Sequence, residues 1–150
     1  MGKIIATVGI SGSGKSTWAK AWVAEAPHRA RMNRDEIRMA LFGEVDQAKA
    51  DEYYSTENEA QVTALAKVLM DEWMAEGRDI VVDNTNLHPL LHKELEELAE
   101  ANGYTFEKKV FRVTTDVAKA NVAKRVAEGG LLVPDNFIDS QAEKFEKFKF

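Results

Sequence analysis

Cysteine is missing from all 150 residues, which excludes a disulfide framework, a thiolate metal centre and a cysteine nucleophile. That absence suits a reducing compartment, and a cytoplasmic location is expected. No apolar run approaches the length of a membrane span, and Lys3 enters an apolar stretch without the layout of a secretory signal, so no membrane partner is expected. Histidine is scarce: His28, His88 and His92 lack metal-ligand spacing, and surface or capping roles are expected for them. Positive charge is in deficit, with 20 Lys and Arg against 25 Asp and Glu. A net charge of −5 argues against a broad footprint along duplex nucleic acid, though a local basic pocket for one strand end remains compatible with it. Internal repeats and low-complexity linkers are also absent. A chain of this length is expected to form one domain over residues 1–150.

What is present begins at Gly9. The stretch Gly9-Ile10-Ser11-Gly12-Ser13-Gly14-Lys15-Ser16 fits G-x-x-x-x-G-K-[ST] without a mismatch. It follows the apolar run Lys3 to Val8 and opens an amphipathic segment, Thr17 to Glu25, which is the strand–loop–helix context the motif requires. Glycines let the backbone turn sharply and approach a polyphosphate, so that N–H groups face it at the positive end of a helix dipole. Gly9, Ser11, Gly12, Ser13, Gly14, Lys15, Ser16 and Thr17 are therefore the expected nucleotide-binding residues. Lys15 would reach the β- and γ-phosphates, and the Ser16 hydroxyl would hold Mg²⁺.

Beyond the loop, short branched apolar runs alternate with helical patterns. Strands are expected at Lys3–Val8, Arg29–Asn33, Asp79–Asp83 and Tyr104–Val113. Helices are expected at Thr17–Glu25, at Arg34–Phe42, from a cap at Ser55 or Thr56 to about Glu76, at Pro89–Ala101, from a cap at Thr114 or Thr115 to about Ala127, and at Asn136–Phe148. Ile37, Leu41 and Phe42 should share one side of the second helix. Val62, Leu65, Val68, Leu69 and Trp73 should form the stripe of the long one. Residues 43–54 read as a mobile connection, and Glu128–Val133 as a flexible loop. The alternation implies an α/β fold of the P-loop NTPase type, a parallel sheet with helices on both faces in three α/β/α layers. Ligands of such sheets bind beyond the carboxyl ends of the strands, where the loop, Asn33–Asp35 and Asp83–Asn86 all fall.

Two further clusters carry chemistry. Ile80-Val81-Val82-Asp83 is an apolar strand ending in a carboxylate, the place where P-loop enzymes keep an acid that orients Mg²⁺. In Asn33-Arg34-Asp35-Glu36-Ile37-Arg38, Asp35 and Arg38 are three apart and share a helix face. An acid and an arginine so placed can accept a hydroxyl proton and clamp a phosphate; by spacing alone a helix cap with a surface ion pair fits as well. Trp18, Trp22 and Trp73 read as core, with base stacking the alternative. Lys144, Lys147 and Lys149 alternate with Phe145, Phe148 and Phe150, as on an amphipathic end helix, with nucleic-acid contact the alternative.

The ordered set GISGSGKSTW, MNRDEIR, DNTNLHP and a late KR…VP segment resembles the 5′-kinase domain of bacteriophage polynucleotide kinase–phosphatases, over nearly the whole chain. The resemblance implies an ATP-dependent polynucleotide 5′-hydroxyl kinase of nucleic acid repair, with ATP and Mg²⁺ as cofactors. Its substrate would be the 5′-hydroxyl end of DNA or RNA, and its location the host cytoplasm if phage-encoded. It also implies catalytic roles: Lys15 and Ser16 on the ATP phosphates and magnesium, Asp35 as general base, Arg38 on the 3′ phosphate of the acceptor nucleotide, and Arg125 as a lid arginine on the donor phosphates. The chain departs from that pattern in two places. The acid that directly precedes Thr-Asn in the phage enzymes is replaced by Asn84, with Asp83 one residue earlier, so the metal-side position lies with one or the other; Asp83 is the expectation. No Asp-x-Asp-Gly phosphatase motif occurs, so 3′-phosphatase activity is expected on another polypeptide or not at all. A kinase for a small metabolite or nucleoside, and a nucleotide-gated binding protein, are the alternatives. The absence of Asn-Lys-x-Asp disfavours a GTPase switch.

Overall fold

Every residue of the first strand past Lys3 is buried, as suits a strand with neighbours on both edges and cover on both faces. The computed structural model describes residues 2–44 and 49–150. Strand β1 (Lys3–Val8) pairs in parallel with β3 (Asp79–Val82) on one side and β4 (Thr105–Val110) on the other, and β2 (Arg29–Met32) pairs in parallel with β3. The strand order is β2-β3-β1-β4.

Side-chain alternation along these strands builds two cores. Ile4, Ile80, Val82 and Met32 face one way, against α2 (Arg34–Phe42), α4 (Thr56–Ala75) and α5 (Pro89–Ala101). Ile5 and Val81 face the other way, against Ala19 and Trp22 of α1 (Lys15–Ala24). Helices on both faces of a parallel sheet give the three-layer architecture expected from the sequence. A third cluster lies around the carboxyl ends of the strands. There Val8, Ile10 and Leu87 meet Ala118 and Val122 of α6 (Thr115–Ala127) and Ile138 and Phe145 of α7 (Asp135–Phe148).

The helix ends follow local chemistry. Ser55 caps α4 by accepting from the Asn58 N–H, and Thr114 caps α6 by accepting from Val117. After Ala75 the Arg78 N–H bonds the Trp73 carbonyl and Gly77 takes φ 72°, a left-handed stop.

Several expectations need correction. On α4 the buried line is Val62, Ala66, Met70 and Met74, with Leu65, Leu69 and Trp73 packed beside it. Val68 points away and is exposed, because the four-residue spacing of the buried line leaves it on the far side. On α2, Ile37 is buried and Phe42 packs on the core, but Leu41 is exposed and Arg38 occupies the buried side instead. Within the expected mobile connection, Ala50–Tyr53 forms a helical turn, α3, and Tyr53 is buried with its hydroxyl donating to the Gly43 carbonyl at 3.1 Å; residues 45–48 lie outside the described ones. Strand β4 ends at Val110, earlier than expected, as a largely exposed edge strand bearing Lys108 and Lys109. His88 does cap α5, whereas His92 is buried, with Nε2 2.6 Å from the Asn86 carbonyl and its pKa lowered by burial.

Candidate active site

The glycine loop turns from β1 into α1, and its shape depends on two glycines. Gly12 has φ 79°, and a Cβ there would stand 2.3 Å from the Ala118 carbonyl oxygen. Gly14 has φ 96° and is the N-cap of α1, so the chain enters the helix from the left-handed region that a side chain disfavours. Two helices pin the outside of the turn. Gln141 of α7 accepts the Ser11 N–H at 2.7 Å, and Asn121 of α6 donates to the Gly12 carbonyl at 2.9 Å.

Lys15 is buried at the first position of α1. Its Nζ donates to the Ile10 carbonyl at 2.8 Å and lies 3.5 Å from Ser13 Oγ. Burial lowers its pKa to about 8; the charges of Asp83 and Asp35 work against that fall, and Arg125 adds to it. A phosphate placed before this amine would restore the charge that burial disfavours.

At the end of β3 the pleat turns consecutive side chains to different partners. Asp83 continues the alternation of Val81, on the face covered by α1, and is buried with Oδ2 accepting from Arg31 Nε at 2.7 Å. Its Oδ1 is buried without a hydrogen-bond partner. Asn84 turns the other way, its Oδ1 accepting the Arg34 N–H at 3.0 Å at the start of α2. Both residues line the space beside the loop, and they differ in their bonds: Asn84 fastens a helix, and Asp83 carries an unused oxygen.

Helix α2 starts at that junction. Asn33, not Asp35, is its cap, accepting from the Glu36 N–H. Asp35 is half-exposed and Arg38 buried, joined through Nη1 and Oδ1 at 2.5 Å. Glu59 of α4 grips the same guanidinium, accepting from Nε at 2.7 Å and Nη2 at 3.0 Å, and also accepts from Arg34 Nη2 at 3.0 Å. Those arginine hydrogen bonds hold the Glu59 carboxyl below its ordinary range. The Arg38 guanidinium lies 5.0 Å from the centre of the Tyr54 ring. The spacing argument missed Glu59 and Tyr54. Glu59 reads in sequence as an acid complementing a helix N-terminus, and no local pattern ties it to an arginine 21 residues away.

Arg125 sits in the last turn of α6, where Nη2 donates to the Leu131 carbonyl at 3.3 Å and Nε is buried without a partner. Gly130 lies against its stem so closely that a Cβ there would be 2.4 Å from Cγ.

One cavity of about 880 Å³ joins these parts. Ser11, Gly12, Gly14, Lys15, Ser16 and Thr17 line it from the loop, and Asp35, Arg38, Asp83 and Arg125 from the surrounding elements. Gly9 and Ser13 do not line it: Gly9 is enclosed by Phe111 and Ser13, and Ser13 is buried beneath Lys15. The volume is within the range of small-molecule pockets. Among the described residues no cluster of three or more His, Asp or Glu could hold a metal alone. Magnesium is commonly bound by one or two protein oxygens together with phosphates and water, and the Ser16 hydroxyl with the free Oδ1 of Asp83 suits that mode.

The chain is 28% identical over 151 residues to a protein named as a bifunctional polynucleotide kinase/RNA ligase of Autographa californica nuclear polyhedrosis virus, covering 97% of this chain and 21% of that one. It therefore spans about a fifth of that relative's length. Among solved structures, the Pnkp1/Rnl/Hen1 RNA repair complex contains a chain that matches with a TM-score of 0.81 at 23% identity, covering 99% of this chain and 46% of that one. An APS kinase of Mycobacterium tuberculosis, solved with AMPPNP and APS, matches with a TM-score of 0.53 at 18% identity over 99% and 98% of the two chains. These likenesses show the shared fold. The family model described as an AAA domain matches residues 4–148, and the chain belongs to that family, as a P-loop member.

Proposed function

We propose that residues 1–150 form one kinase domain and that the chain is an ATP-dependent polynucleotide 5′-hydroxyl kinase of the cytoplasm. The observation that carries the proposal is the cavity itself, which brings the P-loop lysine and the Asp35–Arg38 pair to one space. A phosphate cradle alone supplies a donor site. An acid and a buried arginine facing the same space supply what an acceptor hydroxyl with a neighbouring phosphate needs. The viral relative's name and the RNA repair complex support the same acceptor class.

In the reaction the 5′-hydroxyl oxygen attacks the γ-phosphorus of ATP, the bond to the β–γ bridging oxygen breaks, and ADP leaves. Asp35, half-exposed at the cavity, accepts the hydroxyl proton. Lys15 and Arg125 offset the charge on the transferring group. Ser16 and Asp83 would hold magnesium, which neutralises phosphate charge when bound. Arg38 spends three of its five N–H groups on Glu59 and Asp35, which fixes the guanidinium plane and leaves two for the acceptor's 3′ phosphate.

The acceptor half is tested by comparing nucleosides with and without a 3′ phosphate. Arg38→Ala should lower kcat/KM on 3′-phosphorylated acceptors about 10- to 100-fold more than on plain nucleosides, the worth of a charged hydrogen bond. Equal losses on both would contradict the 3′-phosphate clamp and favour a small-metabolite kinase.

A further inference from the structure

Asp83 is held at three points by β2 and by Asn33, the residue that follows it. Its N–H donates to the Met32 carbonyl at 2.8 Å, and its own carbonyl accepts from Asn33 Nδ2 at 2.7 Å. The third hold is the Arg31 side chain, whose Nε donates to Oδ2 at 2.7 Å while Nη1 donates to Glu36 Oε1 at 2.6 Å. Arg31 is therefore itself fixed at both ends, and its side chain is nearly as buried as that of Asp83.

The pairing is one-sided. An arginine fork commonly takes both oxygens of a carboxylate, and a pair serving stability alone gains most from doing so. Here Arg31 places Nε on Oδ2 and Nη1 on Glu36, and Oδ1 stays buried and unpartnered in a residue that lines the P-loop cavity. A buried carboxylate oxygen without a donor is unfavourable and asks for a cation or a metal-bound water. Asn84 differs from Asp83, since its Oδ1 already accepts the Arg34 N–H at the start of α2.

We infer that Arg31 is a positioning residue for nucleotide-bound magnesium: it locks Oδ2 of Asp83 and so presents Oδ1 to the metal side of the P-loop. Partners that orient a metal's oxygen ligands typically change metal affinity 10- to 100-fold when removed. The inference rests on the ATP–magnesium half of the proposed function and is independent of the acceptor.

The test is calorimetric titration of ATP into the full chain, without acceptor, in Mg²⁺ and in EDTA. For the native chain Mg²⁺ should tighten ATP binding. In Arg31→Met the Kd in EDTA should stay within about twofold of native, while the tightening by Mg²⁺ falls about tenfold. Adding Arg31→Met to Asp83→Asn should reduce the Mg²⁺ effect no further, since Arg31 acts through that carboxylate. Arg31→Lys keeps the charge with one donor head and should retain part of the effect, which preserves the test if circular dichroism shows Arg31→Met unfolded. A native-sized Mg²⁺ effect in Arg31→Met or, should that variant unfold, in Arg31→Lys would overturn the inference. Equal weakening in EDTA and Mg²⁺, or further loss in the double variant, would overturn it too, as would a native chain indifferent to Mg²⁺. A native chain that binds ATP tightly with Mg²⁺ but phosphorylates no 5′-hydroxyl end would contradict the proposed acceptor and leave the role of Arg31 standing.

Discussion

Replacing Lys15 by methionine removes a charge from a place where burial disfavours it, so the variant should lose phosphoryl transfer and gain stability. The fall of the Lys15 pKa from 10.5 to about 8 corresponds, at about 1.4 kcal/mol per tenfold, to about 3 kcal/mol against the charged form. Methionine keeps the length of the stem and forfeits the Nζ bond to the Ile10 carbonyl, worth about 1 kcal/mol. That carbonyl keeps a donor, the Ser13 N–H at 3.2 Å, so it is not orphaned. The remainder is about 2 kcal/mol, which for a chain of this size raises Tm by about 4–8 °C. The sign with pH follows from linkage. Below pH 8 both folded and unfolded states hold the proton and native protein carries the full penalty. Between pH 8 and 10.5 the unfolded state binds more protons, so native stability rises through that window. The advantage of Lys15→Met should thus be greatest at pH 7 and fade toward pH 10.5. Thermal melts of both proteins without nucleotide, followed by circular dichroism at pH 7, 9 and 10, measure it. A variant that melts below native at pH 7, or a difference that does not change with pH, would refute the reasoning.

Asp35→Asn should cut kcat about 10²- to 10⁴-fold while leaving ATP affinity unchanged, read by single-turnover transfer beside ATP titration; a normal rate would remove the proposed base. Gly12→Ala should destabilise the fold by at least about 2 kcal/mol, since the left-handed backbone and the Ala118 carbonyl at 2.3 Å both oppose a Cβ. A native Tm in that variant would mean that the loop can move away from α6 at little cost.

The parts of the molecule legible in sequence were those set by short-range rules. Gly9 to Ser16 marks its own turn, the branched runs at Ile4 and Ile80 mark buried parallel strands, and the pairs Ser55-Thr56 and Thr114-Thr115 mark helix starts, with Ser55 and Thr114 the members that cap. Val68 and Leu41 were misplaced because a broad apolar stripe does not reveal which of its edges faces the sheet. Arg38 and Asp35 were paired correctly through their three-residue spacing. Glu59, which grips Arg38 from another helix, carried no local mark, nor did Arg31, whose partner is 52 residues away across β2 and β3. The step between Asp83 and Asn84 was visible as a question in sequence, and the pleat of the sheet shows which of them keeps an unused oxygen.

The central claim is transfer from ATP to a nucleic acid 5′ end, and one measurement meets it directly. Purified chain is incubated with γ-labelled ATP, Mg²⁺ and a 5′-hydroxyl oligonucleotide, beside separate samples offering nucleosides and sugars. The account predicts label on the oligonucleotide's 5′ end, removable by a phosphatase, with little on sugars. Label on a sugar or free nucleoside and none on the oligonucleotide would contradict it.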